Sequence, residues 1–171
     1  ALGDGALNQN TTGQSNIAIG IDALKNNTEG THNLAIGLTS LYSNTTGHAN
    51  TAYGRSSLYS STTGIGNNAF GRWSLFRNDS GSYNAAIGDM ALFSNVDGDF
   101  NTALGRKSGQ NATGSGNVFI GYRAGEDQVE GDHKLYIGSS LWTEDEENGI
   151  QLGDTLTLLY GDFVTGDLSL G

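Results

Sequence analysis

Apolar residues fall along this chain in short bursts, and the bursts recur every 17 residues. One copy reads Gly20-Ile-Asp-Ala-Leu-Lys-Asn-Asn-Thr-Glu-Gly30-Thr-His-Asn33-Leu-Ala-Ile36 and closes on Gly37. Gly3, Gly20, Gly37, Gly54, Gly71, Gly88 and Gly105 keep the spacing without a slip. Gly121 follows after 16 residues and Gly138 after another 17. A second glycine lies ten residues after the first at Gly13, Gly30, Gly47, Gly64, Gly81 and Gly98. In the seventh copy it is Gly114, nine after Gly105, so that copy has lost one turn residue. Three residues beyond it stand Asn16, Asn33, Asn50, Asn67, Asn84, Asn101 and Asn117, with Lys134 in the eighth copy. A fixed short period decides the architecture before local propensity does. A 17-residue unit cannot bury a core of its own, so each copy is one rung of a solenoid held by its neighbours.

The pattern predicts two short strands per copy. One is Asn-x-Ala-Ile-Gly, as in Asn16 to Gly20. The other is centred on an Ala/Ser-Leu pair: Ala23-Leu24, Ser40-Leu41, Ser57-Leu58, Ser74-Leu75 and Ala91-Leu92. Turn vocabulary such as Asn44-Thr45-Thr46-Gly47 separates them. No helical period runs through any copy. The absence of proline suits a chain whose N–H groups are nearly all needed in ladders.

Stacking the copies about 4.8 Å apart turns equivalent positions into columns, and eight copies make a rod of roughly 40 Å. Ile19, Ile36, Tyr53, Phe70, Ile87, Leu104 and Ile120 form a large apolar column. Ala18, Ala35, Ala52, Ala69, Ala86 and Ala103 form a small one on the opposite strand face. Leu7, Leu24, Leu41, Leu58, Leu75 and Leu92 form a third column, and Tyr42, Tyr59, Phe76 and Phe93 a fourth. One narrow coil has room inside for only one of each facing pair of columns. The surplus stripe predicts an oligomer with chains laid side by side along the rod.

Composition narrows the partners. The 171 residues carry a formal net charge of −10, which argues against nucleic acid and against anionic membrane surfaces. There is no cysteine, hence no disulfide framework and no thiolate metal site or nucleophile. No apolar run approaches a transmembrane helix in length, and no signal peptide is visible. Ala1-Leu2-Gly3 matches Ala103-Leu104-Gly105, so the chain is expected to begin inside a repeat and to be a fragment of a longer protein.

The period divides the chain into a repeat shaft over 1–138 and a segment over 139–171. The second segment opens with acidic residues Glu144, Asp145, Glu146 and Glu147, read as a solvated loop rather than a calcium site. Two strand-like runs follow, Thr155 to Tyr160 and Asp167 to Leu170, and predict a hairpin serving as cap or adaptor. An open solenoid end exposes unpaired backbone and core, so a cap is needed.

Catalytic chemistry is not visible in these residues. His32, His48 and His133 are scattered and show no ligand spacing. No serine sits in a nucleophile elbow, and Gly114-Ser115-Gly116 is too short for a phosphate loop. No catalytic, cofactor-binding or metal residue is assigned, and no cofactor is expected. Two ladders remain as surface features. Tyr42, Tyr59, Phe76 and Phe93 are a candidate glycan-contact ladder or an inter-chain packing ladder. Thr11, Thr28, Thr45 and Thr62 form a regular array that sits in a turn, not on the flat strand face that an ice-binding array needs.

The Asn-x-Ala-Ile-Gly units resemble the head repeats of trimeric autotransporter adhesins. The Leu41-Tyr42-Ser43-Asn44-Thr45-Thr46-Gly47 spacer, the run from Asn117 to Gly125, Lys134 to Ile137 and Leu158 to Phe163 resemble bacterial and phage fibre proteins. In such proteins an endosialidase-type intramolecular chaperone commonly follows. The resemblance spans essentially the whole chain. It implies an all-β, left-handed parallel β-roll, three chains to a fibre, outside the cell on a surface or on a particle tail. The implied partners are two further copies and a cell-surface glycan or receptor. The expectation is therefore a structural and attachment segment of a trimeric fibre. A carbohydrate-binding module using the aromatic ladder is the alternative, and a fibre-borne hydrolase ranks last.

Overall fold

The computed structural model describes the backbone of residues 1–127, 130–141, 154–162 and 167–169, with side chains placed for 1–127 and 130–138. The chain is an all-β parallel solenoid. One three-residue strand recurs per coil: β1 (Ile17–Ile19), β2 (Leu34–Ile36), β3 (Thr51–Tyr53), β4 (Asn68–Phe70), β5 (Ala85–Ile87), β6 (Thr102–Leu104) and β7 (Val118–Ile120). β8 (Lys134–Leu141) extends the same parallel sheet. β9 (Asp154–Asp162) and β10 (Asp167–Ser169) follow. The sheet order is the sequence order, and the register couples Ala18 to Ala35, Ala35 to Ala52 and onward at the repeat interval.

The two-strand coil expected from the pattern is corrected to a one-strand coil. The Ala/Ser-Leu segment is a run of tight turns. Ala23 N donates to Gly20 O at 3.2 Å and Asn27 N to Leu24 O at 3.2 Å. Asp22 (φ 55°) and Leu24 (φ 50°) occupy the left-handed region, and Leu41, Leu58, Leu75 and Leu92 repeat it. A non-glycine residue there costs about 1–2 kcal/mol. Burial offsets this, because each of these leucines is fully buried. The turns still make a coil-to-coil ladder, with Leu24 N on Ser40 O at 3.0 Å and Asn26 N on Tyr42 O at 3.2 Å. Backbone polar groups are satisfied between coils without the extended conformation.

Two columns fill the interior. Ala18 to Ala103 point in from the strands, and Leu24 to Leu92 point in from the turns. The strand neighbours of each alanine point outward, the ordinary alternation of a strand. Asparagine closes the remaining corner with two buried ladders. Along one, Asn33 N donates to Asn16 Oδ1 at 2.9 Å, and the link repeats through Asn50, Asn67, Asn84, Asn101 and Asn117. It ends where Lys134 N donates to Asn117 Oδ1, because a lysine side chain has no acceptor to pass on. Along the other, Asn27 Nδ2 reaches Asn10 Oδ1 at 2.6 Å and Gly30 O at 3.0 Å, and Asn44 repeats the pair. Ser61 interrupts this second ladder, leaving Asn44 Oδ1 and Ser61 Oγ buried without partners.

Past the 16-residue coil the core changes content. Phe119 stands in the alanine column, stacks on Tyr136 at 5.4 Å, and is buried. Gly109 and Gly125 stand where other coils carry leucine, and their φ values of 55° and 61° match the leucine conformation. A Cβ on Gly109 would lie 2.6 Å from the Phe119 ring, and one on Gly125 would lie 2.5 Å from it. Two stacked rings, Phe119 and Tyr136, replace two leucines, which roughly keeps the volume while exchanging which wall supplies it.

β8 pairs antiparallel with β9, with a register shift between Ile137 and Gly138, and β9 pairs antiparallel with β10. The acidic run 144–147, the connection 163–166 and Leu170 lie outside the described residues.

Candidate functional site

Surface stripes, rather than a cleft, are the candidate interaction features. The first lies on the outer face of the strands. Ile19, Tyr53, Phe70, Ile87 and Leu104 are 39–55% exposed although large and apolar. Ile36 and Ile120 bridge them as half-exposed members. Tyr53 and Phe70 pack at 6.5 Å with their planes 25° apart. The strand alternation forces the arrangement: with alanine turned inward, its neighbours cannot also be buried. Ile17, Ile21 and Leu38 widen the stripe at its amino-terminal end. On one flank Asp89 sits between Arg72 at 3.1 Å and Arg106 at 3.6 Å. The Asp89 hydrogen bond and charge raise the Arg72 guanidinium above its ordinary value.

The second stripe is the ladder singled out from the sequence. Tyr42, Tyr59, Phe76 and Phe93 stack at 5.1, 5.2 and 5.1 Å with interplanar angles of 7°, 10° and 3°. The rings are half-buried, because each follows a buried leucine and shields its neighbour. Their faces point at one another along the rod, so edges are what the ladder offers outward. Lys25 continues the column and places its ammonium 5.8 Å from the Tyr42 ring. A hydrogen bond to Asp22 raises Lys25 above its ordinary value. At the other end the column passes through Gln110 to buried Glu126, which is paired with Lys107 at 3.1 Å and with Arg123.

The threonine array is committed to the ladder. Thr11 Oγ1 donates to Thr28 O, Thr28 Oγ1 to Thr45 O and Thr45 Oγ1 to Thr62 O, at 2.9, 3.1 and 3.1 Å. The three histidines are exposed and separate. Among the described residues no group of three or more His, Asp and Glu converges to hold a metal.

Sequence reading missed a third feature, the stacked pair Tyr83 and Phe100 on an outer corner, with centroids 5.3 Å apart and planes 5° apart. They are 56% and 63% exposed. Their column runs Ser15, His32, Ala49, Gly66, Tyr83, Phe100, Gly116, His133, and every member has positive φ. A glycine appearing among otherwise unrelated residues was the available signal. Gly5, Gly66, Gly109, Gly116 and Gly125 each stand in a column whose non-glycine members hold φ near 49–61°. A left-handed position tolerates many residues but readmits glycine whenever a side chain is not needed. No family model, curated protein or solved structure matches this chain.

Proposed function

We propose that this chain is a structural and attachment segment of an extracellular trimeric fibre, wound as a left-handed roll, with residues 139–171 as its cap or adaptor. The observation that carries the reading is the strand-face stripe, which runs uninterrupted over seven coils from Ile19 to Ile120. Completing the burial of a half-exposed large side chain is worth about 1 kcal/mol, so the stripe offers about 7 kcal/mol per chain. That is of the order of the cost of associating chains. One or two coils could not hold a partner, whereas the whole stripe can. The count of three, the handedness and the extracellular setting come from the resemblance to fibre head repeats. The mechanism is multivalent: a stiff shaft presents several copies of a weak contact, which then add by avidity.

Multi-angle light scattering tests the reading. The expected mass is about three times the 17.9 kDa of one chain. Tyr53→Lys with Ile87→Lys places charges inside the stripe and is expected to release monomers that keep their β circular dichroism. A wild-type chain that stays monomeric at high concentration refutes the proposal. So does a double variant that assembles like wild type.

A further inference from the structure

We infer that the corner at Ser61 binds one ordered water molecule, which takes the hydrogen bonds that an asparagine carboxamide makes in the neighbouring coils. The inference does not rest on the fibre reading. In the second asparagine ladder each Nδ2 donates twice. Asn27 Nδ2 reaches Asn10 Oδ1 in the preceding coil and Gly30 O in its own turn. Asn95 Nδ2 reaches Asn78 Oδ1 and Gly98 O in the same way, both at 2.9 Å. Ser61 stands in this column. Its side chain ends at a hydroxyl, which is smaller than a carboxamide and bonds in fewer directions.

Four polar groups surround the place where that carboxamide would lie. Asn44 Oδ1 has no donor and Ser61 Oγ has no partner, and both residues are fully buried. Gly64 O accepts from Asn50 Nδ2 at 2.7 Å and from no second asparagine. Gly30 O, Gly47 O and Gly81 O each accept from two. Asn78 Nδ2 donates to Gly81 O at 2.8 Å but, unlike Asn27, Asn44 and Asn95, to no side chain of the preceding coil among the described residues. An amide at position 61 would donate to Asn44 Oδ1 and Gly64 O and accept from Asn78 Nδ2. A water molecule has the same capacity and one acceptor site more, which suits the Ser61 hydroxyl. Buried waters make two to four such bonds.

The corner has not closed over the shorter side chain. A Cβ built on Gly47 or on Gly64 would lie 2.6 Å from the glycine carbonyl oxygen of the following coil, no closer than one built on Gly13 or Gly30. Asn44 Oδ1 also keeps the place over Gly47 that Asn27 Oδ1 keeps over Gly30. The mixed lining selects water over other small occupants. The two carbonyl oxygens repel an anion, and the Asn78 N–H repels a cation. An apolar guest would leave all four groups unmet. The water links Asn44 to Asn78 through hydrogen bonds alone, so the join lacks the covalent tether that asparagine gives the neighbouring rungs.

Water-selective NMR on the chain labelled with 15N-asparagine is the test. The side-chain amide protons of Asn78 are expected to show a nuclear Overhauser contact with water, of the sign given by a molecule held for longer than the protein tumbles. Ser61→Asn supplies the amide and expels the water. It introduces the residue that the column carries at Asn44 and Asn78, so the variant is expected to fold and to lose the contact at Asn78. A crystal structure of the wild type is the second measurement. An ordered density peak is expected within about 3.2 Å of Asn44 Oδ1, Gly64 O, Ser61 Oγ and Asn78 Nδ2. The inference is overturned if Asn78 shows no such contact in the wild type, or if the contact persists in Ser61→Asn. It is also overturned if the crystal shows the Ser61 hydroxyl bonded directly to Asn44 Oδ1 with no water between the coils.

Discussion

The exchange of core content at Phe119 makes a quantitative prediction. Phe119→Ala removes a ring that is 1% exposed. The facing residues are Gly109 and Gly125, which have no side chains to move into the space. Collapse is blocked, so the cost belongs toward the upper part of the 3–5 kcal/mol range for Phe→Ala, about 4 kcal/mol. Gly109→Leu alone drives a side chain into the ring, since even its Cβ would lie 2.6 Å away. Overpacking costs about 1–3 kcal/mol, and the backbone adds little because Leu92 holds φ 49° in the same column. Additivity predicts a loss of about 6 kcal/mol for the double variant. Structure predicts otherwise, because an alanine at position 119 beside a leucine at position 109 would recreate the relation of Ala103 to Leu92 in adjacent coils. We expect the double variant to lose only about 2–3 kcal/mol, a coupling of about 3 kcal/mol. Urea unfolding followed by far-ultraviolet circular dichroism measures it. One protein concentration must be kept throughout, since association shifts the midpoint. A double-variant loss equal to the sum of the single losses would show that the ring and the glycines do not compensate each other.

Ser61→Asn is expected to repair the interrupted ladder by giving Asn44 Oδ1 a donor, stabilising the chain by about 0.5–1.5 kcal/mol; an unchanged or lower urea midpoint counts against it. Gly71→Ala is expected to destabilise by more than about 2 kcal/mol. Its φ is 132° and its Cβ would meet Gly88 O at 2.5 Å, so both strain and collision oppose it. A midpoint within error of wild type would mean that coils can separate at that corner at little cost.

The rungs were readable because each column holds one chemistry along the rod. Ala18 to Ala103 and Leu24 to Leu92 are spaced identically in sequence and stacked identically in space. The second strand was misread because Ala23-Leu24 carries no turn residue, and leucine at φ 50° runs against its own backbone preference. Tertiary burial overrides that preference, and burial is not a property of the dipeptide. Which of two opposed columns enters the coil also escapes the pattern, since alanine and isoleucine on the strand are both apolar, as are leucine and its aromatic neighbour on the turn. The turn geometry decides it, by leaving room for alanine at the strand and leucine opposite. The corner pair Tyr83 and Phe100 was passed over because two coils make no column, and the glycines in their column mark the backbone conformation rather than the stack.

The ladders also determine how the rod answers force. Every hydrogen bond between coils points along the axis, and each coil is bonded to the one before it and the one after it. Tension along the rod therefore loads the interfaces in series, and the weakest yields first. A coil that peels away trades about 5 Å of rod for 17 residues of extended chain, a gain of about 50 Å. The interface beside Ser61, with its two idle polar atoms, is the natural place for that first release. A solenoid loaded in this way is expected to lengthen by discrete steps, each the release of one coil.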